Sequence, residues 1–207
     1  MSATPVLRLR TPLAALIAVA LLGACALGPG GREEFASYDF GVPPPAEAAA
    51  RLRQPLLVYD VVAPNWMDTP AVFYRLAYQD AARPRSYAGS RWMMPPAALF
   101  TNRLRQHFAA ASRGGVLVPA DGLRAGHALR VEIEEFAQVF DAPGRSRAVV
   151  RVRASLLGNR ALVAQRSFSV ERPAASADAE GGVRALTAAS DELILQVLDW
   201  TAGNVKN

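Results

Sequence analysis

The chain has 207 residues, 51% hydrophobic and 20% charged, with a formal net charge of +5 and one cysteine. This balance excludes intrinsic disorder. At this length a fold buries roughly 70% of the surface its unfolded chain exposes, so a single domain needs no metal or disulfide to be stable. The lone cysteine excludes an intramolecular disulfide, and the basic residues, all arginine except Lys206, are scattered rather than gathered, so no nucleic-acid partner is expected.

The N-terminus reads as an export signal. Arg8 and Arg10 precede Leu13–Ala24, a 12-residue run without a charge, which matches a positive region followed by an apolar one of ~7–15 residues. Even extended through Leu27 this run spans only about 22 Å as a helix, against a hydrocarbon core of ~30 Å. Gly28-Pro29-Gly30-Gly31 would break any continuation. The run closes on Leu22-Gly23-Ala24-Cys25, which resembles a lipobox, the motif at which bacteria attach diacylglycerol to the cysteine and cleave just before it. On that reading Cys25 is a lipid attachment site carrying covalent diacylglycerol and an acyl lipid, and two or more chains hold a protein on a membrane where one is marginal. The alternative is a plain secretory signal, with a small-x-small site within Ala20 to Ala26 and an incidental cysteine. Residues 1–24 are read as signal peptide, 25–37 as anchor and flexible tether, and 38–203 as one domain.

Within that domain Tyr38-Asp39-Phe40 reads as a first short strand, stopped by Pro43-Pro44-Pro45. Leu56 to Ala63 is apolar on both faces apart from Asp60 and suits a strand inside a sheet. Pro64 to Pro70 is a loop, Val72 to Tyr78 is β-prone, and a short strand is expected around Arg85 to Ala88. Pro95-Pro96 begins a helix with Ala97, Phe100, Leu104, Phe108 and Ala111 on one face, Arg103, Arg105 and Gln106 off it, and Gly114-Gly115 as its end. After a short strand at Val116 to Val118, Leu129, Val131 and Ile133 alternate with Arg130, Glu132 and Glu134, until the phase slips at Glu135-Phe136 and predicts a bulge. A turn at Asp141 to Gly144 leads to the alternation of Val150, Val152, Ala154 and Leu156. Gly158-Asn159 then makes a tight hairpin into Leu162, Ala164, Arg166, Phe168 and Val170. From about Asp178, with Gly181-Gly182 shifting the firm start toward Val183, Leu186, Leu193, Ile194, Val197 and Leu198 mark a last amphipathic helix. The expected fold is α+β, a mostly antiparallel sheet with two amphipathic helices packed on one face.

Catalytic chemistry is thinly represented. His107 and His127, the two histidines, share no metal-ligand spacing with carboxylates, and neither a Gly-x-Ser-x-Gly elbow nor a P-loop occurs. No catalytic residue, metal or cofactor is therefore expected. Glu132 and Glu134 share a strand face and could serve as paired acid and base, but cross-strand pairing with Arg151 and Arg153 is the simpler account. What stands out is Trp, Met and Arg in segments read as loops. Trp66, Met67, Tyr87, Arg91, Trp92 and Met93 are the candidate partner contacts, with core-capping as the other reading for Trp92 and Met94.

In order and spacing the chain resembles the ABC-type transport auxiliary lipoproteins, which include the PqiC-like lipoproteins of Gram-negative bacteria. The resemblance runs from Cys25 through Tyr38 and Phe40, Phe73-Tyr74-Arg75, the Tyr87, Trp92 and Pro95 stretch, and Glu135-Phe136 to Trp200. It implies a periplasm-facing lipoprotein of the Gram-negative envelope, sorted to the outer membrane since Ala26 rather than Asp follows the cysteine. It further implies that the protein assists an ATPase, a permease and an MCE-domain protein in moving lipid between membranes, with a homo-oligomer as one form it could take. The rival reading is a periplasmic lipid-binding carrier independent of any transporter, which would need an apolar cavity between sheet and helices.

Overall fold

Alternation over three successive segments builds the frame. In the computed structural model, which describes residues 35–43, 52–159 and 161–205, the strands are β1 (Ala36–Tyr38), β2 (Leu56–Val58), β3 (Ala71–Leu76), β4 (Ala81–Trp92), β5 (Val116–Leu117), β6 (His127–Ala142), β7 (Arg145–Gly158) and β8 (Ala161–Pro173). The helices are α1 (Ala77–Asp80), α2 (Pro96–Ala110) and α3 (Ala179–Asn204), with 3-10 turns at Asn65–Met67 and Pro119–Asp121. The residues read as signal peptide, Cys25 and the part of the expected 25–37 tether up to Glu34 lie outside the described residues, as does Pro44-Pro45.

β6, β7 and β8 form the expected meander. The two-residue turn between β6 and β7 ends at Gly144, whose φ of 75° suits glycine, and Asn159 at φ 50° follows β7 in the next hairpin. The bulge falls where the pattern slips: Ile133 pairs with Val152 but Glu135 pairs with Arg151, leaving Glu134 unopposed.

The rest of the sheet corrects the expectation of a mostly antiparallel sheet. One edge of β6 is covered by β7; the other is shared, with β2 parallel to Leu129 and the residues before it, and β3 parallel to Gln138–Phe140. β5 joins β2 in parallel, β4 joins β3 antiparallel, and β1 joins β4 in parallel. Four of the seven strand pairings are therefore parallel and the sheet is mixed. The physical reason is that crossovers rather than hairpins return the chain to the shared edge, the second of them through α2.

Three expected elements also change. The strand read across Leu56 to Ala63 stops at Val58 because α2 captures its backbone: Arg105 donates to the Val58 carbonyl at 3.0 Å, and the Val61 N–H donates to Thr101 Oγ1 at 2.9 Å. The segment from Ser86 to Trp92, read mostly as loop, belongs to the long strand β4. Tyr78 leaves β3 for the short helix α1.

α2 and α3 share one dry core with Leu129, Val131, Ile133, Val150, Val152 and Leu156 of the sheet. α3 starts at Ala179, ahead of Val183, because Asp178 caps it by accepting from the Gly181 N–H at 2.8 Å. The two glycines of its first turn serve close packing: a Cβ at Gly182 would overlap the Gln138 side-chain amide, and one at Gly181 would overlap Ser176.

Candidate functional site

The structure separates the residues marked as partner contacts. Met67 and Trp92 are fully buried members of the core, so neither side chain is available to a partner. In the 3-10 turn Asn65–Met67, the Met67 N–H donates to the Pro64 carbonyl at 2.8 Å and the methionine turns inward while Trp66 stays 41% exposed. Trp92 packs edge-on to Phe40 at 5.7 Å and beside Phe136 at 5.8 Å, which is the core-capping reading, whereas Met94 remains at the surface.

Tyr87 also points inward. Its hydroxyl donates to Gln138 Oε1 at 2.8 Å, Gln138 in turn donates to Ser146, and burial, with Tyr74 and then Asp178 adding to it, pushes the Tyr87 hydroxyl up to about 12. Tyr87 and Trp92 lie an odd number of residues apart yet both turn to the core. The register of β3 and β4 shifts between the pairs Ala71–Arg91 and Phe73–Ser86, and this bulge resets the phase of β4.

Two exposed groups remain. The first surrounds Trp66. Its ring meets Phe73 edge-on at 5.2 Å and lies 5.6 Å from the Arg75 guanidinium, which Glu135 fixes through Nε at 3.2 Å. Phe73 and Arg75 alternate along β3 with the core residue Val72 and with Tyr74, so this group sits on the side of β3 away from the core. The second group gathers Met93 and Met94 with the N-terminal segment. Arg91 reaches Ser37 at 3.3 Å and lies over the Phe35 ring at 5.1 Å.

Beneath the second group lies a polar knot that pattern reading missed. Arg103, expected off the apolar stripe of its helix, is buried, and its guanidinium donates to the carbonyls of Phe40 and Gly41. Arg103 Nε lies 3.2 Å from Asp191 Oδ1, without hydrogen-bond alignment, and the buried His107 Nε2 lies 3.1 Å from the same oxygen. α2, α3 and the N-terminal segment are thus tied at one carboxylate. The i, i+4 spacing of Arg103 and His107, beside Leu104 and Phe108, is the signal that could have revealed the pair. His107 serves structure here, and His127 borders a surface groove of about 410 Å³ beside Gly158.

Glu132 is hydrogen-bonded by Arg153, with Glu134 3.9 Å from the same guanidinium, so the strand carboxylates stand as cross-strand charge pairs. Beside them Tyr59, Val62, Arg130 and Gln165 line a groove of about 490 Å³, and a third groove of about 440 Å³ runs between the N-terminal segment and α3. All three grooves are lined mainly by surface residues, not by the core cluster between sheet and helices. Among the described residues no helix is long and apolar enough to cross a membrane, and no cluster of three or more His, Cys, Asp or Glu is placed to hold a metal ion.

The sequence matches the family model of the ABC-type transport auxiliary lipoprotein components over residues 38–197. No curated protein matches it. Among solved structures, a protein from Xanthomonas campestris is 21% identical with a TM-score of 0.69, the alignment covering 82% of this chain and 94% of that one. A hypothetical protein from Chlamydia trachomatis is 11% identical with a TM-score of 0.52, covering 74% of this chain and 98% of that one. At these identities the likeness is one of fold.

Proposed function

Because the chain belongs to the ABC-type transport auxiliary lipoprotein components, we propose that it is a non-catalytic docking subunit of a transporter that moves lipid between bacterial membranes. Its partners on this reading are an ATPase, a permease and an MCE-domain protein. Cys25, carrying diacylglycerol and an acyl chain, holds the domain on the periplasmic side of the envelope at the outer membrane. Confinement to a thin layer raises the effective concentration of the domain for a membrane-spanning partner without any new contact. Another subunit hydrolyses the ATP.

The observation that carries the docking role is the braced indole of Trp66. It is partly exposed, backed by Phe73 and held beside a guanidinium that Glu135 fixes in place. Trp and Arg dominate the energetic centres of interfaces, and an indole already held in one orientation loses little freedom on binding. The test is recovery of the transporter with the full-length protein from membranes. Trp66→Ala is expected to lower recovery about tenfold or more, as for a hot-spot residue, while the protein stays folded with only a small drop in its unfolding midpoint. Undiminished recovery rules this surface out.

A further inference from the structure

We infer that the corner formed by Val42, Met93 and Met94, with Phe35 along the same edge, is a membrane-contact surface that rests against the phospholipid leaflet holding the Cys25 anchor. The inference rests on the anchor proposed above.

The backbone brings the two methionines beside the segment that carries Val42, while Phe35, just before β1, lies against Arg91 at 5.1 Å. β1 pairs with the end of β4, the Met93 N–H donates to the Tyr38 carbonyl at 2.7 Å, and a groove of about 240 Å³ runs between Gly41, Met93 and Met94. Val42, 92% exposed, and Met93, 67% exposed, are the most exposed large apolar side chains among the described residues, and Phe35 adds 40%. They are held out, not loosely hung. Directly beneath, Phe40 packs against Trp92 and Phe136, and Arg103 grips the Phe40 and Gly41 carbonyls. A rigid corner with several exposed apolar groups marks an interaction site.

Chain geometry selects lipid as the occupant. Phe35 is ten positions after Cys25, and ten residues extend at most ~35 Å, so an acylated Cys25 keeps β1 and the corner it leads into close to its leaflet. Charge agrees with a shallow apolar contact: Arg91 and Asp39 flank the patch with opposite signs, so attraction to anionic headgroups contributes little and the apolar side chains contribute the rest. The free affinity of such a patch is modest, and the tether supplies the concentration that makes it effective. The contact fixes which way the domain faces.

The test uses full-length protein purified from membranes and reconstituted into phosphatidylethanolamine and phosphatidylglycerol vesicles, with a nitroxide on Met93→Cys or, at the far end of β8, on Leu162→Cys. An acylated Cys25 has no free thiol, and an intact mass spectrum reads its state separately. The label at 93 is expected to be open to oxygen and several-fold more shielded than the label at 162 from a water-soluble nickel complex, with little change at raised salt. Val42→Asp is expected to remove the shielding while the protein stays on the vesicles. Equal access at both positions with Cys25 acylated overturns the inference. So does shielding from both reagents, which means that protein, a second copy or a partner, covers the corner. A bare Cys25 overturns the anchor reading and this inference with it, whereas equal access with Cys25 acylated overturns the inference alone.

Discussion

Two Trp-Met dipeptides, Trp66-Met67 and Trp92-Met93, have the same sequence and opposite burial. In the first the methionine is in the core and the indole is at the surface; in the second the indole is in the core and the methionine is outside. Composition and hydropathy cannot distinguish them. Backbone phase does. The 3-10 turn after Pro64 rotates Met67 inward, whereas the bulge in β4 brings Trp92 onto the core face just before the chain turns into α2. A buried aromatic beside an exposed methionine and its mirror image thus become two different surfaces, one braced on the sheet and one at the N-terminal corner.

The strongest way to break this pairing is to truncate both indoles. Trp92→Ala is expected to cost ~3–5 kcal/mol in urea unfolding, as for other large aromatic truncations in cores. Trp66→Ala, which removes a half-buried ring with its contacts to Phe73 and Arg75, should cost about 1–2 kcal/mol, clearly less than the core indole. Comparable losses at the two sites would show that the dipeptides are not in opposite phase.

A second substitution acts on the floor of the corner. Asp191→Ala leaves the buried Arg103 and His107 without their shared carboxylate, under the segment whose Phe40 packs on Trp92. Breaking a fully buried pair costs ~3–5 kcal/mol, and because Asp191 keeps 16% exposure the expected loss is about 2–3 kcal/mol. Denaturant unfolding that leaves the midpoint unchanged would mean the knot contributes nothing.

The smallest effect concerns Tyr87, the residue that shares the inward phase of Trp92. Its folded-state value of about 12 lies above the ordinary 10.0, so the neutral phenol is the form the fold favours. The stability this provides is complete below pH 10 and is lost as the pH rises toward 12. Ultraviolet titration of Tyr87→Phe against the parent checks it: the phenol missing from the variant should be the one that ionises late, and a missing phenol that ionises near pH 10 would place Tyr87 in water.

The meander of β6, β7 and β8 and both long helices are legible in the residue pattern, and the bulge at Glu134 lies one residue from the slip read at Glu135-Phe136, but the Asp178 cap that starts α3 ahead of Val183 is not. Their partners are close in sequence, and one solvated face gives the sheet strands a clean alternation. The parallel pairings are not legible. β1, β2 and β5 are two or three residues long, too short to show a period, and each finds its neighbour across a long stretch of chain. The candidate site suffers for the same reason. Tyr87, Trp92 and Met67 fall in segments without a readable period, and Arg103 defeats the rule that charge lies outside because its partners come from the N-terminal segment and from α3.

What the sequence by itself determined is the set of locally paired elements, the ordered residues by which the family is recognised, and the position of the one cysteine at the end of an apolar run. What only the tertiary structure decided is the direction of the shared-edge strands and which member of each Trp-Met pair faces water. Local periodicity records only which side of one element is dry. The phase set by a turn or a bulge, and the neighbour supplied by a distant strand, exist only once the chain has closed on itself.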